Sequence, residues 1–403
     1  MVLNRQIERG NLWRGRTGSW LDTPVMFLSP LIFVVICAMF EPEVIVQGHP
    51  SLHKLIHLGS YVGALMGFVC LFKCKKLPST VFLISGLCLT GIISAVFSDY
   101  AQSVDALDQC LQHIRLMLTS LLFFYWLTCC PRKLARIASA YFFVLVILNL
   151  LIELARPGGL YTAAWTHEPC FLFGHKNTSI LGFLPGFVFV FLNDYLNCGR
   201  LSVLSFAYWC LAVLNVTLAR SSTSLAAVFV ASVLLLFVLA SGRIRICPSL
   251  LLIPGFLLSA LLLFNTIPGF FSNLIMSLFG KTVTFSGRTF IWAKTLSLLD
   301  SNLLFGIGSL PSELMRRLVG GVNAHSFLLG IIASGGLLRL LVYLLWVFCS
   351  AVAYRCSQKS LYECAPLVFG FTCLAIVGLM ENIDLTWCLL FYCVSLDVYC
   401  CDQ

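Results

Sequence analysis

Apolar stretches of about 20 residues recur along the chain, and short polar segments separate them. A helix needs about 20 apolar residues to cross the hydrocarbon core of a bilayer. Because backbone polar groups must be satisfied inside lipid, helices are the expected spanning form. The pattern predicts an all-α, polytopic integral membrane protein with about 12 transmembrane helices, at roughly 24–40, 55–72, 78–98, 111–129, 134–153, 178–197, 201–218, 223–240, 247–264, 337–354, 362–379 and 384–401.

We predict one transmembrane domain over residues 1–403. The largest segment outside the spans, 265–336, lies between spans 9 and 10. It is too short for a separate domain and too apolar for a free linker, so we expect a helical loop segment within the same domain. Its run GFFSNLIMSLF at 269–279 is typical of a helix lying on the membrane surface.

The distribution of charge predicts the orientation of the spans. With the N-terminus in the cytoplasm, fifteen of the 26 Lys and Arg residues fall in the inner loops or the N-terminal tail. The short outer loops carry acidic residues instead. Basic residues stay on the cytoplasmic side of membrane proteins, so we expect both termini to be cytoplasmic. The first span lacks a small-x-small cleavage site, which favours an uncleaved first helix.

Composition supports a membrane protein and excludes other classes. Apolar residues make up 59% of the chain and charged residues 11%, and the mean hydropathy is +0.94. Soluble proteins carry about 25% charged residues, which excludes a soluble multidomain enzyme, a disordered chain and an ordinary nucleic-acid-binding protein. The net charge of +9 therefore reflects topology and not a nucleic-acid partner. Of the 19 cysteines, Cys110 and Cys170 are candidates for an oxidising compartment, and a disulfide between them is left open.

Two arginines lie at predicted helix starts on the outer side. Arg220 precedes Ser221–Ser224, which can cap the next helix, and a guanidinium beside free helix N–H groups suits phosphate oxygens. Arg288 follows Gly287 at another helix start, with Trp292 on the same face. The alternative for Arg220 is an interfacial arginine that reaches lipid headgroups. The alternative for Arg288 is a surface cation whose stem packs on tryptophan.

Two histidine-containing segments add candidate chemistry. His325 is expected in the first turn of a short helix that Gly335 and Gly336 end, where it could act as a general base or simply be an interfacial polar residue. His175 and Lys176 precede another span; they could bind a sugar and a phosphate, or belong to a solvated loop.

Arg115 lies inside an apolar run, at a cost of roughly 2.5–3.5 kcal/mol if it is central. It should therefore face a cavity or an acidic partner. Glu381 and Asp384 are candidate partners for it, candidate ligands of an acceptor sugar, or members of a simple interfacial pair. No Asp-x-Asp spacing indicates a metal, and we predict no metal and no cofactor. Arginines would then stabilise a phosphate in place of a metal.

Four strings occur in order on the predicted outer side: ARSSTS (219–224), SGRTFIW (286–292), LLFGIGS (303–309) and NAHSFLLGIIASGG (323–336). Together they resemble the O-antigen ligase and Wzy-type O-antigen and exopolysaccharide polymerase superfamily, which are glycosyltransferases of the bacterial envelope. The resemblance covers roughly residues 170–350. GHKN at 174–177 is similar to a segment of the exopolysaccharide polymerases. Arg339 departs from the pattern, which often has a small residue there, and this bears on the acceptor side.

The resemblance implies a metal-independent, inverting transfer of a glycan from undecaprenyl diphosphate on the periplasmic face of the inner membrane. The acceptor would be a lipid-linked repeat unit for a polymerase or lipid A–core for a ligase. Arg220 and Arg288 match the arginines that hold the diphosphate, and His325 matches the base. Lys176 would add phosphate contacts. Further candidate substrate ligands are His175, Arg115, Arg339, Glu381 and Asp384.

Implied partners are the lipid-linked donor, a saccharide acceptor, membrane lipids and a chain-length regulator protein. The alternative function is a twelve-span transporter or flippase for a lipid-linked oligosaccharide. Such carriers often have two six-helix halves joined by a longer inner loop. Here the connection after span six is only about 197–201, and the long segment lies outside, before span ten. This asymmetry favours the glycosyltransferase.

Overall fold

The computed structural model describes residues 25–73, 79–98, 100, 106–162, 168–177, 179–241, 247–264, 287–356 and 361–383. Four features of the sequence analysis lie outside this part of the chain. They are the basic N-terminal tail before residue 25, the surface helix expected at 269–279, Asp384, and the last predicted span at 384–401.

Helices dominate the described residues. They are α1 (Val25–Met39), α2 (Glu43–Gly48), α3 (Pro50–Lys73), α4 (Ser79–Phe97), α5 (Ala106–Cys129), α6 (Pro131–Ala155), α7 (Ser179–Cys198), α8 (Val203–Leu218), α9 (Ser222–Ser241), a 3₁₀ helix (Pro248–Leu251), α10 (Leu252–Leu263), α11 (Arg288–Leu299), α12 (Ser312–Val319), α13 (Phe327–Cys356) and α14 (Leu361–Val377). Each predicted span before residue 384 coincides with one of these helices, which confirms a helical membrane protein.

The number of membrane crossings stays a prediction. Within the described residues, 5 helical segments are long and apolar enough to span a bilayer: Ala106–Leu127, Pro131–Ala155, Ser179–Cys198, Ser222–Ser241 and Phe327–Val352. Other apolar helical segments are 10–17 residues long, among them Phe82–Phe97 and Val203–Leu218. They carry large exposed apolar side chains such as Phe82 and Val203, which lipid tolerates and water does not.

Aromatic side chains fill the centre of the bundle. Trp126, Trp346 and Tyr208 are among the fully buried residues. Phe142 of α6 stacks on Phe189 of α7 with ring centroids 6.1 Å apart. Large apolar surfaces of this kind fix the relative positions of helices through close packing.

Helix α13 is broken at Gly336, which has φ 66° and ψ −167°. This confirms the predicted break between a short helix and the following span. The freed backbone groups bond to the segment 303–307: Leu337 N–H donates to the Leu303 carbonyl at 2.9 Å, and Ile307 N–H donates to the Ala333 carbonyl at 2.8 Å. The LLFGIGS string therefore supplies hydrogen-bond partners for the backbone groups that the break leaves unpaired, which lipid cannot supply.

A small antiparallel sheet interrupts the all-α pattern, and the sequence did not predict it. Its strands are β1 (Tyr161–Thr162), β2 (Pro169–Phe171) and β3 (Gly174–His175), paired in the order β1–β2–β3. The sheet is anchored to the bundle by the buried Asn149 of α6. Its side-chain oxygen accepts from Leu172 N–H at 2.9 Å, and its amide nitrogen donates to Asn215 of α8 at 2.8 Å. These bonds position the loop that carries His175 and Lys176.

Candidate functional site

His325 lies in a tight turn immediately before α13. The helix begins at Phe327, so the expectation that His325 sits in its first turn is wrong. Ser326 instead caps the helix, accepting from Leu329 N–H at 3.4 Å. The His325 N–H donates to the Asn323 side chain at 2.8 Å, and the His325 carbonyl accepts from Trp292 Nε1 at 3.3 Å. The backbone of this turn is therefore held from both sides.

Arg288 opens α11 as the sequence predicted. Gly287 caps the helix with φ 88°, a conformation that glycine adopts without strain. Trp292 is buried in an apolar cluster that also contains Val319 of α12 and Ala324. This cluster packs α11, α12 and the His325 turn into one unit, which brings Arg288 and His325 to the same place.

Glu381, just after α14, joins these two residues. Its Oε1 pairs with Nη2 of Arg288, and its Oε2 lies 3.4 Å from Nδ1 of His325. The residue is 4% exposed. Burial acts to raise the pKa of Glu381, but the hydrogen bond with His325 and the charge of Arg288 outweigh it, so the pKa lies below its ordinary value of 4.5. The group is a carboxylate at neutral pH.

This arrangement favours one tautomer of His325. A carboxylate only accepts hydrogen bonds, so the proton of the neutral imidazole belongs on Nδ1, facing Glu381. Nε2 then carries the lone pair and can accept a proton from a substrate hydroxyl. A carboxylate that orients a histidine in this way is the arrangement used by many general bases. Glu381 therefore acts on Arg288 and His325, whereas the sequence proposed it as a partner of Arg115.

His175 and Lys176 share a second carboxylate, that of Glu168. Oε2 of Glu168 contacts His175 Nε2, and Oε1 accepts from Lys176 Nζ at 2.8 Å. Burial acts to raise the pKa of Glu168, but the hydrogen bonds from Lys176 and His175 outweigh it and lower the pKa. His175 also lies close enough to Glu381 to contribute to lowering the pKa of that residue. The sheet loop therefore borders the Arg288–Glu381–His325 group.

Arg220 lies in the turn between α8 and α9. Ser221, one of the four residues that the sequence offered as a cap, caps α9 by accepting from Ser224 N–H at 3.3 Å, and its hydroxyl donates to the side chain of Asn177 at 3.1 Å. This bond ties the Arg220 turn to the loop that carries Lys176. The Arg220 side chain is exposed, in a position to meet a ligand.

Backbone strain distinguishes the same residues. Among the described non-glycine residues, positive φ angles occur at Arg220 (53°) and His325 (45°) and nowhere else. A left-handed conformation at a non-glycine residue is uncommon and concentrates at functional sites, where the surrounding structure maintains it. Both residues were singled out from the sequence for their chemistry.

Arg115 and Arg339 lie elsewhere, around a cavity on α3, α5 and α13. Arg115 hydrogen-bonds to the ring of His57 at 2.7 Å, and no contact joins it to Glu381. The prediction that it faces a cavity is confirmed, and the proposed pairing with Glu381 is wrong. Arg339 is 3% exposed and donates to the Ser334 side chain at 2.7 Å.

Sequence reasoning missed the role of Glu168. The residue lies seven positions before His175, which does not suggest contact until a hairpin folds the chain back. Gly174, directly before His175, was the sequence signal for this turn, because glycine favours turns. The described residues contain no group of three His, Cys, Asp or Glu side chains placed to hold a metal ion. Cys110 and Cys170 do not form a disulfide with each other.

Comparison with known proteins gives one finding. Residues 206–344 match the family model described as O-antigen ligase. The matched segment contains Arg220, Arg288 and His325, but neither Glu381 nor the loop with Lys176. No curated protein and no solved structure gives a significant match to the chain.

Proposed function

Because residues 206–344 match the family model described as O-antigen ligase, we propose that this membrane protein transfers a glycan from undecaprenyl diphosphate to a hydroxyl of an acceptor sugar. The reaction takes place on the periplasmic face of the bacterial inner membrane. The acceptor is a lipid-linked repeat unit or lipid A–core. The observation that carries the proposal is the contact of Arg288 and His325 with one buried carboxylate, Glu381.

His325 is the proposed general base. As the acceptor oxygen attacks the anomeric carbon, its proton passes to Nε2 of His325, and the bond from that carbon to the diphosphate oxygen breaks. Attack from the face opposite the leaving group inverts the anomeric centre. Glu381 stabilises the imidazolium that forms. A positioned base typically contributes about 10²–10⁴-fold to rate.

Arg288 and Arg220 are the proposed ligands of the diphosphate. The leaving group is already weakly basic, so it needs charge stabilisation more than a proton. A guanidinium has five N–H donors in a planar fork, so Arg288 can contact Glu381 and still offer further donors to a phosphate. Arg220 adds its charge beside the N-terminus of α9, where backbone N–H groups also favour an anion. Lys176 supplies an additional positive charge.

The experiment uses the purified protein in nanodiscs with a lipid-linked glycan donor. We expect His325→Ala to abolish product while donor still binds. Arg220→Ala and Arg288→Ala should weaken donor binding, and the lysine variants should recover little of it because they lack the fork. Arg200→Ala, an exposed arginine between α7 and α8, is the matched control and should bind donor normally.

Product analysis separates the remaining choices. A polymerase gives a ladder of lengths from donor alone, whereas a ligase caps lipid A–core once. Full turnover by His325→Ala would refute the assigned base. Movement of donor across vesicles that survives this substitution, without any transfer product, would instead indicate a carrier, because a carrier needs no base.

A further inference from the structure

A cavity of about 400 Å³ lies beside the His325 turn. Its wall includes Asn323 and Ala324, the two residues before His325, and Asn382, the residue after Glu381. Arg220 and Arg288 are not part of its lining. The volume falls in the range of small-molecule sites. The cavity is therefore separate from the arginines proposed for the diphosphate, yet it reaches the turn of the proposed base.

The charged groups around this cavity are cationic. These are the guanidinium groups of Arg115 and Arg339; two histidines also contribute to the wall, and no aspartate or glutamate is among the described residues that line it. Neutral hydrogen-bonding side chains complete the polar part of the wall: Ser60, Gln112, Thr119, Ser309, Asn323, Ser334 and Asn382. A wall of this composition is complementary to an anion that also carries hydroxyl groups.

Neighbouring groups hold both arginines in place. Arg115 contacts the His57 ring and lies over the Tyr61 ring, 5.2 Å from its centroid. Arg339 donates through Nη1 to the Ser334 hydroxyl at 2.7 Å and through Nη2 to the Leu87 carbonyl at 3.4 Å. Arg115 is partly buried and Arg339 is 3% exposed; burying a guanidinium in a helix bundle is costly, so an arginine as buried as Arg339 usually serves a ligand or an ion path.

We propose that this cavity binds the acceptor glycan, and that Arg115 and Arg339 recognise an anionic group, a carboxylate or a phosphate, on that glycan. The inference rests on the proposed function, because an acceptor held here would lie beside the turn that carries His325. Beyond the proposed function, it assigns the acceptor to a chemical class, that of glycans with a carboxylate or a phosphate. Charge-assisted hydrogen bonds from a buried arginine discriminate strongly between an anionic sugar and its neutral counterpart.

Binding of three probes to the full-length protein in nanodiscs tests the proposal. The probes are one oligosaccharide ending in a neutral hexose, the same oligosaccharide ending in a uronic acid, and the same oligosaccharide ending in a hexose phosphate. We expect at least one anionic probe to bind about tenfold or more tightly than the neutral probe. The preferred probe identifies carboxylate or phosphate as the recognised group.

Substitutions then connect the preference to the two arginines. Arg115→Gln and Arg339→Gln should each remove most of the preference while leaving the affinity for the neutral probe nearly unchanged. Arg339→Lys, which keeps the charge of this buried position, should retain part of it and guards against a folding defect. Arg200→Gln is the matched control, since it removes an exposed arginine outside the cavity.

Two results would overturn the inference: equal affinity of the wild-type protein for all three probes, or a preference that persists in both glutamine variants. These outcomes are distinct from failure of the proposed function. If His325→Ala transfers glycan at the wild-type rate while the anion preference depends on Arg115 and Arg339, the base is wrong and the cavity assignment stands. If transfer requires His325 but neutral and anionic probes bind equally, only the cavity assignment fails.

Discussion

Replacing Glu381 with glutamine tests the proposed mechanism most directly. The substitution keeps the shape of a side chain that is 4% exposed and removes its charge. A glutamine that presents its oxygen to Arg288 must direct its NH₂ group toward Nδ1 of His325. Nδ1 would then have to accept, which moves the imidazole proton to Nε2 and blocks the lone pair that takes the substrate proton.

The expected magnitude follows from the geometry. A histidine held in the wrong tautomer loses most of the contribution of a general base, which is about 10²–10⁴-fold. The Glu381–His325 contact is long, at 3.4 Å, so the carboxylate restrains the ring less firmly than a short bond would. We therefore expect kcat to fall about 10²–10³-fold, toward the lower part of that range.

The assay is turnover of a lipid-linked donor under saturating conditions, with donor affinity measured separately. Arg288 keeps a neutral acceptor in Glu381→Gln, so donor affinity should change little compared with kcat. Glu381→Ala should also lower stability, because removing one partner of a buried ion pair costs about 3–5 kcal/mol. Glu313→Gln is the control: this carboxylate makes exposed pairs with Arg316 and Arg317, which contribute little.

One result would refute this reasoning: Glu381→Gln protein that folds, binds donor and turns over at half the wild-type rate or faster. The contact with His325 would then be incidental to catalysis. A large loss of donor affinity without loss of kcat would assign Glu381 to positioning Arg288 alone.

Two further predictions concern stability. Gly336→Ala should lower the free energy of unfolding by about 3 kcal/mol or more, measured by thermal unfolding in detergent. The backbone conformation at this position suits only glycine, and an added Cβ would lie 2.0 Å from the Leu304 carbonyl oxygen. Gly48→Ala is the control: a Cβ there meets nothing within 4 Å, so the free energy of unfolding should change by less than about 1 kcal/mol. The pKa of Glu168 lies below its ordinary value of 4.5 in the folded state, so its pairing with Lys176 and His175 stabilises the protein above that pH and is lost as pH falls through the folded pKa. The difference in melting temperature between wild type and Glu168→Gln should accordingly be constant near neutral pH and shrink below pH 4.5; a difference that grows on acidification would contradict the assigned ion pairs.

Local patterns in the sequence predicted several structural features of the candidate site. A cap for α9 within Ser221–Ser224, the helix start at Arg288 and the break at Gly336 each depend on a few adjacent residues, and each is found where the sequence placed it. The position of His325 was wrong because the helix begins only at Phe327, with Ser326 as its cap, and the sequence alone did not identify that cap.

The amino-acid sequence alone was enough to predict a helical membrane protein and the approximate positions of its helices, and it suggested three candidate residues for glycan transfer. Apolar length and turn residues act over one helix or one turn, so they can be read along the chain. Which charged groups contact one another depends on how the helices pack, and the sequence did not predict it. Glu381 pairs with Arg288 and His325, and Arg115 with His57, across 93, 56 and 58 positions of sequence. Those pairings are determined by how the helices pack, because an ionised group buried in a bundle needs whichever partner the packing brings within reach.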